Sequence, residues 1–167
     1  MYLEAARGWL ELGDPRTAAD ELRNISGLRR AEPDVQKVRL QIAVDSDEWP
    51  AAFALAQGLI HAQQRDAQIF LWRSQAARHL SEDGLPQALA LLLEVANEFP
   101  EDPAIPFHLG CYNAALAQES TARCWLALAF DAAQRQGTLK KWKAAALVHR
   151  DLALLHKKTG ATSSLWV

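Results

Sequence analysis

Asp83-Gly84-Leu85-Pro86-Gln87-Ala88 sets a turn and a proline just ahead of an alanine, and Leu92 and Val95 follow that alanine at four and seven positions. Proline suits the first turn of a helix, where its missing N–H would have had no partner. Spacing of i, i+4, i+7 lays one apolar stripe along a helix. The same arrangement recurs on either side. Upstream it reads Gly13-Asp14-Pro15-Arg16-Thr17-Ala18 and Asp47-Glu48-Trp49-Pro50-Ala51-Ala52; downstream, without proline, Ala117-Gln118-Glu119-Ser120-Thr121-Ala122. The four alanines, Ala18, Ala52, Ala88 and Ala122, lie 34, 36 and 34 residues apart. Their i+4 partners are Leu22, Ala56, Leu92 and Leu126, and their i+7 partners Ile25, Leu59, Val95 and Ala129. A period of this length marks stacked repeats. The alanine leaves room for a close helix crossing, and the larger residues fill the space beside it.

Working outward, each turn is preceded by another helix-sized segment. The pattern predicts helices over residues 1–12, 15–27, 34–44, 50–63, 67–80, 86–97, 106–116, 120–135 and 139–157. Their connections are short, so consecutive helices should be antiparallel neighbours. Pro33 and the run from Pro100 to Pro106 fall between repeats, where a helix has to stop. Alanine and leucine dominate the apolar residues, a bias that favours helix over sheet.

The fourth unit reads Phe107-His108-Leu109-Gly110-Cys111-Tyr112-Asn113, then Ala122-Arg123-Cys124-Trp125-Leu126-Ala127-Leu128-Ala129-Phe130. It resembles a bacterial form of the tetratricopeptide repeat, with Leu109-Gly110 standing for the family's Leu-Gly pair. Trp72 matches the leading aromatic of the third unit and Pro100 its closing proline. The second unit keeps Leu40 but lacks the aromatic, and the fourth has Ala117-Gln118 where the family favours glycine. The resemblance implies an all-α fold, a right-handed superhelical stack of about four helix-turn-helix repeats in a single domain. The repeats would span about 1–32, 33–65, 66–102 and 103–136, followed by a capping helix at 138–158 and a flexible tail at 159–167.

In such a stack the first helix of each pair lines a concave face. That implies a partner-binding lining of Arg7 and Leu10 with Leu3, Lys37 and Gln41 with Val44, Phe70 and Arg73 with Ala77, and Phe107 with Cys111. Cations beside apolar and aromatic residues suit a protein or peptide partner carrying acidic and apolar side chains. Asparagine is missing where the family's carboxylate-clamp members need it, so no receptor for a C-terminal carboxylate is expected. The implied function is a non-enzymatic adaptor or scaffold. A dedicated chaperone for a secreted or assembling protein is the narrower alternative, and an enzyme or nucleotide-binding protein the least favoured.

Charge sharpens the partner class. Residues 1–131 hold 11 basic and 19 acidic side chains, whereas residues 132–167 hold seven basic ones against Asp151 alone. An acidic body argues against nucleic acid, which needs a basic surface. On a helical wheel the basic final segment sets Trp142, Ala145, Val148, Leu152 and Leu155 in one apolar arc, opposite most of its lysines. That is the pattern of a terminal helix covering the last repeat. An acidic partner, or in self-association the acidic body of a neighbouring copy, is the other reading of that charge. No basic leader with an apolar core opens the chain and no apolar stretch is long enough for a bilayer, so a cytoplasmic location is expected, with Cys111 and Cys124 reduced.

Catalytic and metal motifs fail on context. His149-Arg150-Asp151-Leu152 copies the start of a kinase catalytic loop, but His156 stands where asparagine is required and no phosphate loop accompanies it. Cys111 and Cys124 lack ligand spacing, and His61, His79, His108, His149 and His156 are scattered over different helices. No catalytic residue, metal site or cofactor is therefore expected. The acid pairs Asp47-Glu48 and Glu82-Asp83 sit ahead of helices, where they complement the positive helix end, and Asp14 reads as an N-cap. Trp9, Trp49, Trp72, Trp125 and Trp142 read as packing residues, given the area an indole buries, and Trp166 as part of the tail.

Overall fold

Proline at the head of an alanine-rich segment does start helices here. The computed structural model describes residues 1–153 and residue 155. Among them are nine α-helices and no strand: α1 Tyr2–Glu11, α2 Pro15–Arg23, α3 Pro33–Asp45, α4 Trp49–His61, α5 Ala67–Leu80, α6 Gly84–Leu93, α7 Ala104–Ala115, α8 Glu119–Arg135 and α9 Leu139–Val148. Short 3-10 turns occur at Arg29–Ala31 and Arg150–Leu152. The chain divides into two compact units, Met1–Gly84 and Leu85–Val167.

Helix starts follow the local chemistry. Pro15, Pro33 and Pro50 occupy the first turns of α2, α3 and α4, where no N–H is missed. Asp14 accepts hydrogen bonds from the Thr17 backbone N–H and hydroxyl at 2.9 and 2.7 Å, and these hold its carboxyl below the usual aspartate range. Asp66 caps α5 by accepting from the Gln68 N–H at 3.0 Å.

Helix ends share one device. After α1, α3, α4, α7 and α8 the chain passes through a left-handed residue: Gly13, Asp47, Gln63, Ala117 and Gly137, with φ between 57 and 76°. In each turn the next N–H reaches back five residues, as from Asp14 to the Trp9 carbonyl at 2.9 Å and from Gln118 to that of Asn113 at 2.9 Å. These bonds satisfy carbonyls that the helix end leaves open. Asp47, which the sequence reading placed only as an acid ahead of a helix, is thus a helix terminator as well.

In the first unit two apolar clusters share α3. Val35 and Val38 join Ala6, Leu10, Ala18, Leu22 and Ile25 of α1, α2 and the turn after it. Leu40 and Ala43 join Ala52, Ala56 and Leu59 of α4 with Ile69 and Ala76 of α5. In the second unit Phe107, Cys111 and Ala114 of α7 pack with Ala122, Leu126, Ala129 and Phe130 of α8, Ala146 of α9, and Leu152 and Leu155. Gly110 marks a close crossing of α7 and α8: a Cβ there would lie 2.6 Å from Leu126 Cγ and 3.2 Å from the Ala122 carbonyl oxygen. All four repeating alanines, and all their i+4 and i+7 partners, are buried.

The C-terminal segment differs from the expected single helix over 139–157. Helix α9 stops at Val148, His149 is extended, and a 3-10 turn follows. The His149 Nδ1 accepts from the Asp151 N–H at 3.3 Å, so the kinase-like tetrapeptide is a local cap on a turn. Leu139, Trp142 and Ala145 still pack on the core and Leu152 is buried, but Val148 is 84% exposed, outside the expected arc. His156, Lys157, Lys158, Trp166 and the expected tail lie outside the described residues. Trp49 and Trp72 pack against the α3–α4–α5 cluster, whereas Tyr2 and Trp9 of α1, and Leu12 just after it, are exposed. Among the described residues no helix is long and apolar enough to cross a membrane.

Candidate functional site

The first helices of successive pairs in the first unit, α1, α3 and α5, border one groove of about 390 Å³. Helix α1 contributes Arg7, Leu10 and Glu11, and α3 contributes Lys37, Val38 and Gln41. Gln68, Ile69 and Trp72 come from α5, with its cap Asp66. Four of the expected lining residues, Arg7, Leu10, Lys37 and Gln41, therefore meet in one place. Each reaches it for a local reason. Leu10 and Val38 are buried in the α1–α2–α3 cluster and form the floor. Lys37 and Gln41 lie one helical turn apart on α3, on the strip between its two packed faces, so both stay half-buried.

The electrostatics are mixed. Lys37 Nζ stands 3.6 Å from an Asp66 carboxylate oxygen, with both side chains part-exposed. Arg7 pairs with Glu4 at 2.8 Å on the exposed face of α1. Exposed pairs of this kind contribute about 0–1 kcal/mol, so either cation can exchange its partner at small cost. Burial raises the carboxyl of Asp45, and a hydrogen bond from Gln41 offsets part of that rise. The sequence reading missed Glu11 and Asp66, which make the groove zwitterionic where a cationic lining was expected. The signal for Asp66 was readable, since an aspartate just ahead of a helix is an N-cap.

The other four expected lining residues are corrected by burial. Phe70, Arg73, Phe107 and Cys111 are 2, 7, 3 and 0% exposed, and none borders the groove. Helix α5 buries eight residues over most of its circumference and leaves one open strip, Gln68, Trp72, Gln75 and His79, which excludes Phe70 and Arg73. The guanidinium groups of Arg65 and Arg73 lie 5.2 and 5.5 Å from the centre of the Phe70 ring, within cation–π range. Phe107 packs in tilted contact with Trp142, their ring centres 4.9 Å apart. Cys111 belongs to the α7–α8 core, whereas Cys124 is exposed; neither is in a disulfide.

Two aromatic contacts were not expected. Trp49 and His79 stack with ring centres 4.2 Å apart and planes within 12°, joining the start of α4 to the end of α5. His108 and His149 face each other edge-on at 6.4 Å, beside Phe107. Among the described residues no three His, Cys, Asp or Glu side chains converge as a metal site would require.

Comparison of the chain with protein-family models, curated proteins and solved structures found no match. The functional reading therefore rests on the groove's geometry and on the repeat pattern.

Proposed function

We propose that the chain is a non-enzymatic protein-interaction module of tetratricopeptide type, which holds a segment of a partner protein in the α1–α3–α5 groove. One observation carries the reading: Arg7, Leu10, Lys37 and Gln41, on two helices about 30 residues apart in the chain, border the same cleft as Trp72. Its apolar floor supplies burial, and its cations, carboxylates and amides supply orientation, the division of labour found in binding clefts. The partner segment has an apolar anchor for Leu10, Val38 and Trp72. It carries an acidic side chain for Lys37 and a hydrogen-bonding group for Gln41. Asp66 and Glu11 favour a basic residue elsewhere in that segment.

The test uses the intact chain with Arg7→Glu and Lys37→Glu together, checked for unchanged helicity. A photo-crosslinking residue at Gln41 in the parent identifies what occupies the groove. Charge reversal should weaken capture of the crosslinked partner about tenfold or more, most strongly at low salt. A folded double variant that binds that partner with unchanged affinity would remove the groove from consideration.

A further inference from the structure

A second concave surface of the first unit shares no residue with that groove. Two cavities, of about 310 and 550 Å³, have Arg39, Ala51 and Leu55 in common and so run into one another. Their floor is apolar: Leu22 of α2, Ile42 of α3, and Leu55 of α4 flanked by Ala51, Ala54 and Gly58. Those three small residues of α4 are exposed, and a side chain added at Gly58 would meet nothing within 4 Å. The rim is cationic. Arg23, Arg30 and Arg39 border the first cavity against one carboxylate, Glu48.

The three arginines are available to different degrees. Arg39 makes no ion pair or hydrogen bond within the described residues and borders both cavities. Arg23 pairs with Asp20 at 2.8 Å, but its side chain is 78% exposed, so that pair is weak. Arg30 is held by the Ile25 and Arg23 carbonyls, each at 2.9 Å, through its Nε and Nη2. Such fixing lowers the entropy lost when the guanidinium meets a ligand.

We propose that this surface docks an acidic amphipathic helix of a partner protein, its apolar face on α4 and its carboxylates along the arginine rim. Charge complementarity selects the acidic flank, because three guanidinium groups stand beside an apolar floor with only Glu48 on the cavity lining and Asp20 paired to Arg23. The floor selects the conformation. Small side chains spaced along α4 let a second helix approach to about 8–10 Å between axes. A helix satisfies its own backbone groups, whereas β-strand addition would need a sheet edge, and only helices and a 3-10 turn surround the cavity. This site is separate from the α1–α3–α5 groove, so the chain would hold two segments at once.

The probe is a lactam-bridged helical peptide of about four turns, with leucine and alanine on one face and glutamate along the flank. A version with lysine in place of glutamate is the control. Titration with the full chain, followed by backbone amide shifts, should show the glutamate peptide binding at α2–α4 about tenfold or more tighter than the lysine version. Arg39→Glu should weaken it by a similar factor. Gly58→Gln should abolish binding while leaving the melting temperature unchanged or raised, because glutamine is the better helix former. The Arg7→Glu, Lys37→Glu variant should bind the peptide as the parent does, which separates failure here from failure of the first groove. Equal affinity for the two peptides, or binding undiminished by Gly58→Gln, overturns the proposal. So does self-association, or attachment to phosphatidylserine vesicles, that Gly58→Gln removes without any glutamate-peptide binding by the parent.

Discussion

At Ala117 the backbone sits at φ 59°, where a Cβ crowds the neighbouring carbonyl and glycine alone is at ease. Gly137 occupies the corresponding turn after α8 at φ 71°, and nothing lies within 4 Å of where its Cβ would be. The two positions differ in side chain and share the same backbone geometry. Replacing Ala117 by glycine should therefore raise stability by about 0.5–1 kcal/mol, after allowing for the freer unfolded chain. Gly137→Ala should lower it by a similar amount. Urea titration read at constant slope checks both, and an unchanged midpoint for either would mean that the turn relaxes out of the left-handed region. Asp47 and Gln63 bear the same conformation more easily or less easily according to side chain: aspartate is enriched there, and glutamine, with a longer side chain, is not.

Among the helices, the α7–α8 pair shows why alanine spacing was informative. Ala122 is fully buried and its carbonyl oxygen lies close to Gly110, so the crossing has no room for a larger side chain. Ala122→Leu should cost about 1–3 kcal/mol through overpacking, measured as a lower urea midpoint, and an unshifted midpoint would mean that the crossing opens freely. The register was legible because one face of each second helix is always apolar, as Ala88, Leu92 and Val95 illustrate. The outward face of the first helices was not. Helix α3 buries Val35 and Val38 toward one cluster and Leu40 and Ala43 toward another, so its apolar residues surround most of the axis and no period singles out a free side. Lys37 and Gln41, expected from the register that the resemblance implies, border the groove because they lie between the two apolar sets. Phe70 and Phe107 were misplaced because a large apolar side chain suits a groove and a core equally. The break after Val148 was invisible for another reason: His149 stops the helix through a ring-to-backbone hydrogen bond that propensity does not encode.

Over the whole molecule, packing within each unit joins mostly elements adjacent in the chain, α1 with α2, α2 with α3, α3 with α4, α4 with α5, α7 with α8 and α8 with α9, while α1–α3, α3–α5 and the contact of α7 with the Arg150–Leu152 turn skip at least one element. Chains built from such local contacts fold quickly and can open in parts. The two thiols make that opening measurable. Cys124 projects into solvent, while Cys111 is sealed among Phe107, Ala122 and Leu126. A maleimide should modify Cys124 at once and Cys111 only when the α7–α8 pair comes apart, so mass spectrometry should resolve two successive additions whose second step accelerates in mild urea. Simultaneous addition at both would mean that the pair is not closed. Where the steps separate, the first addition is a ready attachment point for a fluorophore, and the lag before the second is a chemical stopwatch: with no residue changed, the chain reports how often its second unit opens.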